Sequence, residues 1–236
     1  MESVKLSTIS KIAILGAMDI EIKPILDNLE SYEAVEYGNN KYYLAEYKGK
    51  ELIIAYSKIG KVYSTLTATT MIEHFGAEAV LFTGVAGGLG ELKVGDMVAA
   101  TATAQHDVDI TAFGYPYGFI PSSEVFIPTS KELLDVAKNV AKEQKIKLNT
   151  GVIATGDQFV HDAKRKQFIA DEFGATALEM EGASVNLVCK ELGVPCLLLR
   201  SISDTADGAA PDNFDIFAKE SANISAKFVM EVVNKI

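Results

Sequence analysis

The chain has 236 residues, 48% of them hydrophobic, enough for a sizeable core in one large α/β domain or two small ones. Its formal net charge is -10 and its pI is near 4.9, with no basic patch to override that total, so neither nucleic acid nor an anionic membrane is an expected partner. The two cysteines, Cys189 and Cys196, both lie in apolar surroundings, which favours a reduced cytoplasmic protein with buried thiols over a disulfide.

The first ten residues read as a short leader without the charged start or cleavage pattern of a signal peptide, and KIAILG (11–16) reads as the first strand. MDIEIKPILDNL (18–29) follows as a helix, its Pro24 close enough to the first turn to be tolerated. KYYLAEY (41–47) and ELIIAYS (51–57) form a hairpin joined at KGK. A helix from about Val62 to Phe75 leads to the strand AVLFTG (79–84), the glycine-rich loop TGVAGGLG (83–90) and the strand DMVAATA (96–102). Residues 104–128 are a long connection rich in aromatics and proline; inside a compact domain such a connection is usually functional or part of an interface. Beyond it come a helix over 130–144, the strand GVIATG (151–156), a helix over 162–171, the strand TALEM (176–180), a helix over 182–192, the strand PCLLLRSI (195–202) and a last helix from about Phe214. No linker, repeat or low-complexity block divides them, and no apolar run is long enough to cross a membrane, so one domain over 1–236 is expected. The order implies an α/β fold whose mixed, largely parallel sheet is covered by helices on both faces.

Polar groups at the carboxyl ends of buried strands are where open α/β sheets place ligands, and three exits here carry carboxylates. GAMDIE (16–21) brings Asp19 and Glu21 to a helix start, where acids also serve as plain macrodipole partners. ALEMEGAS (177–184) brings Glu179 and Glu181, one of which can face a site while the other holds a structural partner. RSISDTADG (200–208) brings Asp204 and Asp207. Parallel strands would put all three exits on one edge of the sheet. TGVAGGLG fits neither GxGxxG nor GxxxxGK[ST], so it is either a tight turn or a ligand wall. His74, His106 and His161 are scattered, HDVD (106–109) reads as a hydrogen-bonded loop, and HExxH, CxxC and GxSxG are all missing. No metal or cofactor is therefore expected. General acid and base carboxylates remain, as used in cleaving glycosidic bonds.

GAMDIE, SKIGKV, TGVAGGL, ITAFGYPYGFIP, ATGDQFV, ALEMEGAS and RSISDTADG, in that order, resemble the bacterial 5′-methylthioadenosine/S-adenosylhomocysteine nucleosidases over nearly everything after the leader. SKIGKV, QHDVDITAF and ATGDQFVHD are most similar to the branch that also cleaves aminodeoxyfutalosine, an adenine nucleoside on an alternative menaquinone route. The resemblance implies a nucleoside phosphorylase-like α/β/α sandwich, usually a homodimer. It implies that Asp204 delivers a proton to adenine N7, with Ser203 and Arg200 in support, and that Glu21 activates water. It further implies that Glu181 and the Met180 backbone hold the ribose while Glu181 stabilises the cationic sugar, that Phe159 stacks on adenine and that the Val160 backbone reads its edge. Ala17 and Glu179 belong to the same implied site. Ile59 and Phe214, with Phe113, Tyr115 and Pro121 from a second subunit, would form the apolar 5′ pocket, making residues 113–121 an interface element. Many relatives carry serine where this chain has Val85, which removes one polar contact near the sugar and water.

A phosphorylase of the same fold must hold a phosphate dianion and would be expected to place arginines near the first and glycine-rich loops. This chain has Asp19 and Glu21 at the first and only uncharged side chains from Thr83 to Leu89 at the second, so water is favoured over phosphate as the acceptor. The alternatives are a purine nucleoside phosphorylase and a nucleoside-binding protein without turnover. An apolar 5′ pocket admits several substituents.

Overall fold

The computed structural model describes residues 6–204 and 210–236, with the side chains of 210–216 excluded. The strands are β1 (Lys11–Gly16), β2 (Glu33–Tyr37), β3 (Asn40–Tyr47), β4 (Lys50–Tyr56), β5 (Ala79–Gly88), β6 (Met97–Gln105), β7 (Ile127–Pro128), β8 (Leu148–Thr155), β9 (Ala175–Glu179) and β10 (Cys196–Asp204). The helices are α1 (Asp19–Leu26), α2 (Lys61–Glu73), α3 (Lys131–Gln144), α4 (Ala163–Phe173), α5 (Gly182–Leu192) and α6 (Ala210–Val233).

The central strands are apolar on every residue because both of their faces are covered. Along β1, Ile12 and Ile14 pack into one core with α1, α3 and α6, while Ala13 and Leu15 face the other core with α2 and α5. β5 and β10 divide the same way, Leu81 and Leu199 to the first core and Phe82 and Leu198 to the second. The result is helix layer, sheet, helix layer. Ser130 caps α3 by accepting from Leu133 N–H, and Asp162 caps α4 by accepting from Arg165 N–H. Cys189 and Cys196 are buried and unbridged.

The sheet is mixed, and its topology corrects one premise of the sequence reading. β1 lies parallel between β4 and β5, and β5 is also parallel to β10. β10 meets β6 antiparallel, β6 and β8 are parallel, β8 and β9 are parallel, and β9 returns antiparallel to β5 through Gly87 and Gly88. These pairings close a ring at one end of the sheet. The β9 exit therefore reaches the other carboxylates from the opposite direction, and a shared parallel edge is not what gathers them. The glycine-rich segment is likewise strand through Gly88 rather than loop from Thr83. Among the described residues no helix is long and apolar enough to cross a membrane.

Candidate active site

Side chains from these exits line one cavity of about 280 Å³, which includes Glu21, Glu179, Glu181 and Asp204. Ala17, Ile59, Val85, Phe159, Val160, Met180 and Ser203 also line it. Arg200 lies behind the wall rather than in it, buried beneath Glu179. Phe113, Tyr115 and Pro121 lie outside this cavity on the exposed connection, with Phe113 80% exposed and Tyr115 stacked on Phe119. The Phe214 side chain falls outside the described residues.

Glu21 sits in the first turn of α1, 3% exposed. Its Oε2 accepts the Ala17 and Met18 N–H groups at 2.6 and 2.9 Å, and its Oε1 accepts the Val85 N–H at 2.9 Å. Backbone amides at a helix start and a glycine-rich strand make an anion cradle, and here the chain's own carboxylate fills it. Because Val85 contributes its N–H, that contact does not depend on which side chain stands at the position. A Cβ at Gly84 would collide with the Glu21 carboxylate, which is the physical reason for glycine there. Burial raises the Glu21 carboxyl above its ordinary value, against the opposing influence of the Arg200 charge and the three amides.

Glu179 and Glu181 both line the cavity but differ in their hydrogen-bond partners. Glu179 Oε2 accepts from Arg200 Nη2 at 2.8 Å and from the Glu181 and Gly182 N–H groups at 3.1 and 2.7 Å, while its Oε1 takes a short bond from Thr155 Oγ1. Arg200 in turn donates to the Phe82 carbonyl and lies over the Phe82 ring. Glu179 thus shapes the turn that carries Met180 and Glu181. The Glu181 carboxylate accepts the Gly60 N–H at 2.8 Å. Burial, and then the neighbouring Glu179 charge, push Glu181 up to about 8.

Asp204 ends β10. Its Oδ1 accepts from Ser203 Oγ at 3.1 Å, and a Cβ at Gly87 would stand 3.1 Å from its Oδ2. Lys166 Nζ lies 3.8 Å from Asp204 Oδ2, both side chains being buried. Sequence reasoning missed this cation, because KRKQ on α4 carries no signal that one of its lysines turns inward. It also missed Met18 and Gln158, whereas Ala86 and Gly87, from the segment left open as a tight turn or a ligand wall, line the cavity. His106 is buried beside Arg165, Asp107 pairs with Lys61, and Asp109 caps the turn at Thr111. Among the described residues no group of three or more His, Cys, Asp or Glu side chains is placed so that it could hold a metal ion.

Chemically, the cavity offers two carboxyls held toward their protonated forms and a third beside a cation. An acid, a base and an anion can act around one small ligand there. Residues 11–236 match the Phosphorylase superfamily. An aminodeoxyfutalosine nucleosidase of Campylobacter jejuni is 56% identical over 96% of this chain and 99% of its own length. A crystal structure from Francisella philomiragia is 70% identical, with a TM-score of 0.95, covering 96% of this chain and 100% of that one. The Helicobacter pylori 5′-methylthioadenosine/S-adenosyl homocysteine nucleosidase is 53% identical with a TM-score of 0.95, covering 97% of this chain and 99% of that one. Its ligand joins a 4-aminopyrrolopyrimidine through a methylene to a hydroxylated pyrrolidine bearing a propynylthiomethyl group.

Proposed function

The chain belongs to the phosphorylase superfamily, and we propose how its own residues perform the hydrolysis of adenine nucleosides for which its relatives are named. The enzyme cleaves the N-glycosidic bond of 5′-substituted adenine nucleosides and releases adenine and the 5′-substituted ribose. The substrates are 5′-methylthioadenosine, S-adenosylhomocysteine and aminodeoxyfutalosine. The last is included because of the 56% identity to an enzyme of that name.

Asp204, protonated, hydrogen-bonds adenine N7 and gives up its proton as the bond from C1′ to N9 breaks, so the base leaves neutral. The Asp204 carboxylate so formed is met by the Lys166 ammonium. Glu181, once it has lost the proton that burial holds on it up to about 8, stabilises the cationic sugar as a carboxylate, and with the Met180 backbone it holds the ribose hydroxyls. Water adds to C1′ and its proton goes to Glu21. Phe159 covers adenine, the Val160 backbone reads its edge, and Ile59 begins the apolar 5′ pocket. The chemistry of the relative's ligand suits this scheme: its pyrrolidine amine, one methylene away from the aminopyrrolopyrimidine, is a cation at neutral pH, as the sugar becomes during cleavage.

The observation that favours water over phosphate is the filled cradle. The amides of Ala17, Met18 and Val85 all point to Glu21. The chain has two arginines, and both are engaged elsewhere, Arg200 with Glu179 and Arg165 with the His106 carbonyl. A phosphate dianion entering this cradle would meet a carboxylate and no guanidinium. The test is adenine release measured with and without phosphate: equal rates are expected, and phosphate-dependent release of a sugar 1-phosphate would establish a phosphorylase instead.

The working form is a cytoplasmic homodimer. Val62 and Leu66 leave an exposed apolar stripe on α2 beside Ile59, and Phe113 and Tyr115 are exposed on the long connection. Apolar surface of this kind is what a subunit interface buries. Residues 113–121 of the neighbour then close the 5′ end of the pocket.

A further inference from the structure

Two loops form one side of the cavity: residues 57–60 before α2, which carry Ile59, and residues 156–160 after β8, which carry Phe159 and Val160. A polar cluster outside the cavity ties them together. Lys61 N–H donates to Asp157 Oδ1 at 2.8 Å. Lys61 Nζ donates to Asp107 Oδ1 at 2.7 Å and to Gln105 Oε1 at 3.1 Å, and Asp157 N–H donates to Asp107 Oδ2 at 2.8 Å. The start of α2, the end of β6 and the exit of β8 therefore meet at the Asp107 carboxylate, which takes the Lys61 ammonium on one oxygen and the Asp157 amide on the other. The Lys61 and Asp107 side chains are 18% and 12% exposed, so water screens this pair less than it would a surface pair. Burial alone would raise the Asp107 carboxyl, but the bonds from Lys61 and the Asp157 amide outweigh it and hold Asp107 below its ordinary value.

Gly60 is the link from this cluster to the chemistry. Its φ is +100°, a Cβ there would stand 3.0 Å from Asp157 Oδ1, and its N–H points at Glu181 Oε1. The peptide that follows it is pinned by the Lys61 N–H bond to Asp157.

We propose that Lys61, Asp107 and Asp157 are positioning residues for the hydrolysis, locking the two loops together so that the Gly60 amide is aimed at Glu181. This rests on the reading of Glu181 as the anion that stabilises the cationic sugar. The charged groups around Glu181 are Glu179 on β9 and Glu21 on α1, which favour its protonated form, and Arg200 on β10, which with the Gly60 amide favours the carboxylate; burial outweighs each of them. Among these, the Gly60 amide is held from outside the cavity. Releasing it removes a donor to the charged form, so Glu181 loses its proton only at higher pH.

The experiment uses the full chain, 5′-methylthioadenosine, and adenine release as a function of pH for Lys61→Met, Asp157→Ala, the double variant and Lys61→Arg. In Lys61→Met and Asp157→Ala the acidic limb of kcat/KM is expected to move to higher pH, and kcat to fall by roughly 10- to 100-fold, as for a misplaced catalytic group. The double variant should be little worse than the worse single one, because both break one device. Lys61→Arg should keep the wild-type limb. Asp157 is exposed, so Asp157→Ala keeps the test open if Lys61→Met does not fold. Folded variants with an unmoved limb and wild-type kcat overturn the proposal, provided Glu181→Gln is inactive. Full turnover in Glu181→Gln would instead overturn the reading on which it rests.

Discussion

Arg200 Nη2 lies 2.8 Å from Glu179 Oε2, and both side chains are buried. A buried ion pair is no guarantee of stability, but removing one partner leaves the other charged without compensation. Here the abandoned group would be Glu179, which also receives the amides of Glu181 and Gly182. Arg200→Met is therefore expected to destabilise the fold by about 3–5 kcal/mol. Urea unfolding measures it; a loss below about 1 kcal/mol, the range of exposed pairs, would mean that the pair does not organise the turn.

Gly84 and Glu21 make a second coupled pair. The side chain of Gly84→Ala would enter the space of the Glu21 carboxylate, so this variant should lose turnover as Glu21→Gln does. Removal of a general base typically costs ~10²- to 10⁴-fold, and Glu21→Gln should still bind nucleoside because the amide keeps the shape. Steady-state kcat beside a binding isotherm for both variants checks this. Near-normal kcat in Glu21→Gln would remove Glu21 from the chemistry.

Glu181 connects activity to stability. Its folded value of about 8 stands above the ordinary 4.5, so between those limits the folded chain holds a proton that the unfolded chain has lost. Stability from this group is complete below about 4.5 and declines as pH rises through about 8, by at most about 1.4 kcal/mol per pH unit for one proton. Glu181→Gln removes that decline. Its melting temperature should exceed that of the wild type increasingly from acid to mildly alkaline pH, while turnover is lost. Parallel melting curves against pH for the two proteins would contradict this.

The dimer reading predicts that substrate affinity depends on residues outside a chain's own cavity. Phe113→Ala should raise KM with little change in melting temperature, since Phe113 is 80% exposed in the single chain. Leu66→Asp should shift sedimentation toward the monomer and raise KM as well. A Leu66→Asp monomer with unchanged kcat and KM would disprove a shared site.

The strands β1, β5 and β10 were legible because burial on both faces writes an uninterrupted apolar run. β2 was not, since its EAVEY has most residues exposed and pairs along a single edge with β3. β5 was cut short at Gly84 because consecutive glycines read as a turn, whereas in the fold their bare backbone lets Glu21 and Asp204 come close. The acids at the strand exits were visible because carboxylates are uncommon at the ends of buried strands. Lys166 and the cluster of Lys61, Asp107 and Asp157 were not, because each joins elements far apart in the chain, and spacing along a sequence cannot report which helix turns which lysine inward.

Asp204 carries the central claim. A carboxyl that only tied the end of β10 through Ser203 could be replaced by an amide with little kinetic effect, whereas an amide has no acid proton to give to a departing base. The most direct measurement is single-turnover adenine release from 5′-methylthioadenosine by Asp204→Asn, with nucleoside binding and thermal melting recorded on the same preparation. The expected result is a folded protein that binds the nucleoside and releases adenine at least ~10²-fold more slowly than the wild type, as removal of a general acid typically does. Release at the wild-type rate, accompanied by a lowered melting temperature, would contradict the account and leave Asp204 a structural residue.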